Sequence, residues 1–130
     1  MAFPSQIPMS VSGIIAEDPA ADQVYPLWRV PAGAEVTGIY FATTDDVGAS
    51  TANYFTVTPR NGGAAGTATT ALGAAVGGTA GWTGGTAKSS TVVAAQKNPS
   101  AGDMITAAYD ETGSGTFGNL WFQIDYKIGT

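Results

Sequence analysis

The sequence predicts an all-β protein: two antiparallel sheets packed as a sandwich, a jelly roll being one strand order that fits. Three observations predict it. No segment keeps apolar residues in helical phase over about ten residues. Gly, Pro, Asn and Asp punctuate the chain at the short intervals typical of sandwiches. In NLWFQIDYKI (119–128), Leu120, Phe122, Ile124, Tyr126 and Ile128 alternate with Trp121, Gln123, Asp125 and Lys127. That period of two assigns the first set to a core and the second to solvent or a neighbour.

The elements follow in order. Residues 1–23 read as an extended arm, because Pro4, Pro8 and Pro19 each remove a backbone donor. VSGII (11–15) can make one short strand, and EDPAAD (17–22) an acidic turn. Phe3, Ile7, Met9, Ile14 and Ile15 are apolar enough that the arm should dock on something. A single domain then runs over 24–130. QVYPLWRV (23–30) is β-rich, and Pro26 confines it to an edge or a bulge. EVTGIYFATT (35–44) is a strand with Ile39 and Phe41 on one face and Val36 and Tyr40 on the other. NYFTVTP (53–59) is a strand that Pro59 should end. SSTVVAA (89–95) and MITAAY (104–109) are further strands, and DETGSGTFG (110–118) is a polar hairpin loop.

Residues 61–87 consist mainly of Gly, Ala and Thr, with no charge and only Leu72, Val76 and Trp82 large and apolar. A structureless loop of that length is uncommon, so the segment reads as an ordered excursion over a sheet face or towards a partner. A helical turn at 70–76 is conceivable, stopped by Gly77 and Gly78. Two phrases recur: AGAEVTGIY from Ala32 and AGDMITAAY from Ala101. Each follows a nearby proline, Pro31 or Pro99, and each reads as a tight turn on Gly followed by a strand. Equivalent turns in corresponding halves of the sandwich are favoured over a duplicated binding site. Nothing else repeats, which excludes a solenoid.

Composition narrows the chemistry. The chain has 130 residues, 44% hydrophobic, enough for one core. Charged residues are only 12%, about half the usual share. The net charge is −5, and the five cations are scattered, so nothing favours nucleic acid. No apolar run approaches the ~20 residues of a membrane helix, and MAFPSQIPMS lacks the pattern of a signal peptide. With no His and no Cys, imidazole bases, thiol nucleophiles and soft metal sites are absent. The adjacent acids Asp45 with Asp46 and Asp110 with Glu111 fall in loops and read as solvated charge, so neither catalysis nor a metal or cofactor is expected. GSGTFG (113–118) matches a dinucleotide pattern by letter but lacks the helix that pattern requires. Trp82 stands alone in GTAGWTGG, with two readings open: an anchor pinning the loop to its own domain, or a contact for a partner.

The Pro-rich arm, the Gly/Ala/Thr-rich loops, the AG-x-x-[V/I]-T phrases and the closing NLWFQIDYKI together resemble the small structural proteins of tailed-bacteriophage virions, most of all head decoration (cement) proteins. The resemblance implies a protein made in the host cytoplasm and carried on the virion. It also implies contacts with the major capsid protein and with its own copies, a trimer being favoured. Phe3, Ile7, Met9, Ile14 and Ile15 of the arm and Trp82 of the loop are the expected contact residues. The alternative is a carbohydrate- or receptor-binding sandwich, as at a fibre tip, with Trp82, Trp121 and Tyr54 as a stacking platform.

Overall fold

The computed structural model describes residues 6–16 and 22–129. The strands are β1 (Gln6–Ile15), β2 (Gln23–Arg29), β3 (Ala34–Thr43), β4 (Tyr54–Asn61), β5 (Thr70–Ala71), β6 (Val76–Gly77), β7 (Lys88–Ser89), β8 (Met104–Thr112) and β9 (Leu120–Gly129). One sheet has the order β1-β9-β3-β7, the other β2-β8-β4-β5, with β6 also on β4. Every pairing is antiparallel, and the two sheets pack face to face.

The order follows one rule. β1 pairs with β9, β2 with β8, β3 with β7, and β4 with β5 and β6. The chain is one long hairpin rolled up, so that β9 also meets β3 and β8 also meets β4. This is jelly-roll order. It explains the repeated phrase. The turn before β3 crosses from one sheet to the other, and the turn before β8 crosses back beside it. Val30 N–H donates to Asp103 O, Gly102 N–H to Val30 O, and Val36 N–H to Lys97 O, each within 2.8 Å. Gly33 and Gly102 both have positive φ, 74° and 86°, which the tight turn needs and other residues resist. The two phrases are the two edges of a single crossing of the ribbon. Lys97 and Glu35 add an ion pair across it at 3.3 Å.

Leu120, Phe122, Ile124 and Tyr126 are buried, as the alternation predicts. Pro26 lies on the edge strand β2, beside a bulge between Pro26 and Trp28. Trp28 reaches across to Tyr126 in the other sheet, ring centroids 4.5 Å apart.

Several expectations need correction. Val36 joins Ile39 and Phe41 in the core, because the register shifts between Val36 and Gly38 and turns Val36 to the inner face. β4 continues through Pro59 to Asn61. Pro59 O accepts from Leu72 N–H, so its ring nitrogen faces β5 and β6, not β8, and no bond to β8 is lost. Of residues 89–95 only Ser89 is in a strand, as the end of β7, and a 3₁₀ turn follows at Ala94–Gln96. Residues 70–76 form short β pairings, not a helical turn. Residues 110–118 are not a hairpin loop: Asp110, Glu111 and Thr112 extend β8, and the rest leads to β9 in the other sheet. Phe117 from this stretch is buried against Phe55 and Tyr109, both at 5.5 Å.

The Gly/Ala/Thr-rich excursion is ordered by backbone bonds and its few large side chains. Gly78 N–H donates to Phe55 O, Ala74 N–H to Thr91 O, and Val93 N–H to Leu72 O. Ser90 Oγ donates to Ala74 O at 2.6 Å. Leu72, Val76 and Trp82 all enter the core.

Candidate functional site

The residues expected to serve a partner separate in the structure. Trp82 is corrected first: it is only 4% exposed and stacks flat on Phe55, so its ring is committed within its own domain. Its backbone exchanges two hydrogen bonds with Val47, at 2.8 and 2.9 Å. The loop-anchor reading holds because a ring already enclosed by its own core offers no area to a partner. The proposed stacking platform also dissolves. Trp82 is internal, Trp121 lies on β9 of one sheet, and Tyr54 on β4 of the other.

The N-terminal residues behave differently. Phe3 and most of the acidic turn at 17–22 lie outside the described residues. From Gln6 to Ile15 the segment read as an extended arm is an edge strand, paired along its whole length with β9. Val11 and Ile15 pack against the core. Ile7, Met9 and Ile14 remain 58%, 46% and 60% exposed. Ile7 and Met9 lie opposite Ile128 and Tyr126 on the inner-facing side, beyond the cover of the second sheet. Ile14 lies opposite Trp121 on the outer face. There Ile14, Ala42, Thr44, Gly85, Ala87 and Trp121 line a shallow apolar hollow of about 400 Å³. Towards the other end the same face is polar, with Asp125 and Lys127 of β9 and Glu35 of β3.

The direction of the backbone groups follows from the hydrogen bonds. Gly129 N–H donates to Gly33 O and Thr44 N–H to Asn119 O, so odd-numbered residues of β9 face β3. Even-numbered ones therefore face β1, and the register gives them the odd residues of β1. Gln6, Pro8, Ser10, Ser12 and Ile14 turn their backbone groups to the outside. Among the described residues no strand pairs with that side. Proteins usually guard such an edge with charge, bulges or proline. The other long edge, β2, has a proline, a bulge and Arg29. β1 has no charge and no bulge, and only Pro8 interrupts its donors.

Several of the acids are tied into the fold. Asp46 Oδ1 accepts from Gly84 N–H at 2.8 Å, Asp22 Oδ1 from Glu111 N–H at 2.9 Å, and Asp103 Oδ2 from Asn61 Nδ2 and Ser100 N–H. The Tyr109 hydroxyl donates to the Gly115 carbonyl and lies 3.2 Å from the Glu111 carboxylate. Burial, and then the Glu111 carboxylate, push its ionisation above the ordinary tyrosine range. Among the described residues no three potential metal ligands gather. No known protein family matches the sequence, and no curated protein is significantly similar to it.

Proposed function

We propose that the chain is a structural protein, not a catalyst, and that it decorates and stabilises a phage capsid through contacts with the shell and with its own copies. One observation supports the reading above the others: a charge-free edge strand of ten residues carrying three exposed large apolar side chains. Apolar surface at an open β edge gains most when another protein covers it. The uncharged outer hollow beside Trp121 extends the same surface, and a surface low in charge permits close contact over a flat shell.

The test is co-sedimentation with undecorated capsids, followed by electron microscopy of the particles. The reading requires the chain to pellet with capsids and to occupy regular positions on the shell. Failure to pellet would end it. The carbohydrate- or receptor-binding reading retains one supporting feature, the half-exposed Trp121 in its hollow. That reading requires Trp121 fluorescence to respond to an oligosaccharide, and Trp121→Ala to abolish the binding.

A further inference from the structure

We infer that the free edge of β1 is a self-recognition surface, and that two copies of this chain join there as an antiparallel β1–β1 pair with its two-fold axis at Val11. The inference uses the same edge as the functional proposal but concerns the isolated chain, so its test involves no capsid.

Three observations select a second copy as the occupant. The first is the sequence of the strand. Around Val11, IPMSVSGII is close to a palindrome in character: Ser10 and Ser12 flank the centre, Ile7 and Ile15 close the ends, and Pro8 is matched by the apolar Ile14. A strand that reads alike in both directions presents the same row to itself under a two-fold rotation, the geometry of an isologous contact.

The second is the backbone. With the axis at Val11, outward-facing Ser10 lies opposite Ser12 of the second copy, and the two exchange both backbone bonds. Ile14 N–H donates to the carbonyl of the second copy's Pro8. The missing N–H of Pro8 leaves one acceptor on each copy without a donor. Side chains match at the same register. The exposed Ile7 meets Ile15 of the second copy, Ile14 meets Pro8, and Met9 lies over Gly13, where there is no side chain to obstruct it. A register centred on Ser10 instead sets Ile7 against Gly13 and Ile14 against Gln6, which covers less apolar surface.

The third is charge. The chain has a net charge of −5, so two copies repel unless their contact avoids the acids. No residue of Gln6–Ile15 is charged. The result is a continuous eight-stranded sheet formed from two four-stranded ones. A closed two-fold dimer replaces the trimer that the resemblance implies. Edge pairing buries less than a standard interface of about 1,600 Å², so micromolar association is expected.

The test uses the full chain, whose sequence has no cysteine. Light scattering and sedimentation velocity should give a mass rising with concentration to twice 13.1 kDa. Ser10→Pro deletes an N–H that bonds nothing among the described residues of the monomer. It should weaken the dimer by about tenfold or more with the melting midpoint little changed. Ser12→Lys, on the exposed outer face, brings two like charges together across the axis and should do the same. Val11→Cys should give a disulfide-linked dimer on mild oxidation, since non-hydrogen-bonded antiparallel pairs lie close enough for a disulfide. Ser10→Cys should not. A wild-type chain that stays monomeric at high concentration overturns the inference. So do edge variants that dimerise as the wild type does, and cross-linking through Ser10→Cys in place of Val11→Cys.

Discussion

Trp82 lies flat against Phe55, with ring centroids 5.4 Å apart and planes 12° from parallel. Phe55 also touches Tyr109 and Phe117, so one aromatic cluster joins the loop at Trp82 to β4, β8 and the β8–β9 crossing. The indole N–H has no hydrogen-bond partner among the described residues. Trp82→Phe should therefore keep most of the stack, whereas Trp82→Ala leaves a cavity and should cost about 3–5 kcal/mol. Thermal melts of both variants check this. An alanine variant as stable as the wild type would return Trp82 to a role outside the core.

Ile124 is fully buried, and Asp125, its neighbour in β9, faces outward, where it accepts a hydrogen bond from Gln123 Nε2 at 2.8 Å. Ile124→Asp places a carboxylate among hydrocarbon and should unfold the domain. Asp125→Ala should cost about 1 kcal/mol or less. Chemical denaturation distinguishes them, and the reverse order would refute the register of β9.

Tyr109 gives stability a dependence on pH. Its folded-state pKa is raised, so the hydroxyl stays protonated in the fold after the unfolded chain would release the proton. The unfolded state then binds fewer protons, and stability falls as pH rises. The contribution is intact below the ordinary tyrosine pKa of about 10 and declines above it. Tyr109→Phe should reduce the alkaline slope while lowering stability at neutral pH through loss of the bond to Gly115. Denaturation midpoints from neutral to strongly alkaline pH test the difference between the two proteins.

Gly102 offers a test of the crossing. An added Cβ there meets no atom within 4 Å, yet φ is +86°. Gly102→Ala should cost about 1–2 kcal/mol from conformation alone. A neutral result would mean that the turn relaxes and that the shared phrase is not tied to its shape.

Much of this architecture was legible in the residues. The alternation of 119–128 assigned the core face of β9, and Pro26 placed β2 at an edge. Val36 was misplaced because a bulge leaves no local mark: residue 37 is an ordinary Thr, and only pairing with β9 shows the extra residue. Phe117 was hidden in a Gly-rich stretch that reads as polar. It shares with Trp82 a signal that would have served: a lone aromatic among glycines in a long connection pins that connection to the core. At the candidate site, the apolar character of Ile7, Met9 and Ile14 could be read but not their exposure. Exposure depends on how far the second sheet reaches under β1, which pairing between distant segments decides.

The rolled hairpin also governs the order in which the protein can take shape during synthesis. β9 is the last strand in sequence, yet it is an interior member of its sheet, between β1 and β3. Until it leaves the ribosome, β1 lacks its partner in the sheet and β3 lacks its main one. The first sheet cannot close progressively. Apart from the short β3–β7 pairing its strands must wait, and contacts between such distant segments form slowly. A nascent chain of this kind exposes its stickiest strand for longest, so expression should depend on chaperones and temperature more steeply than the small size of the domain suggests.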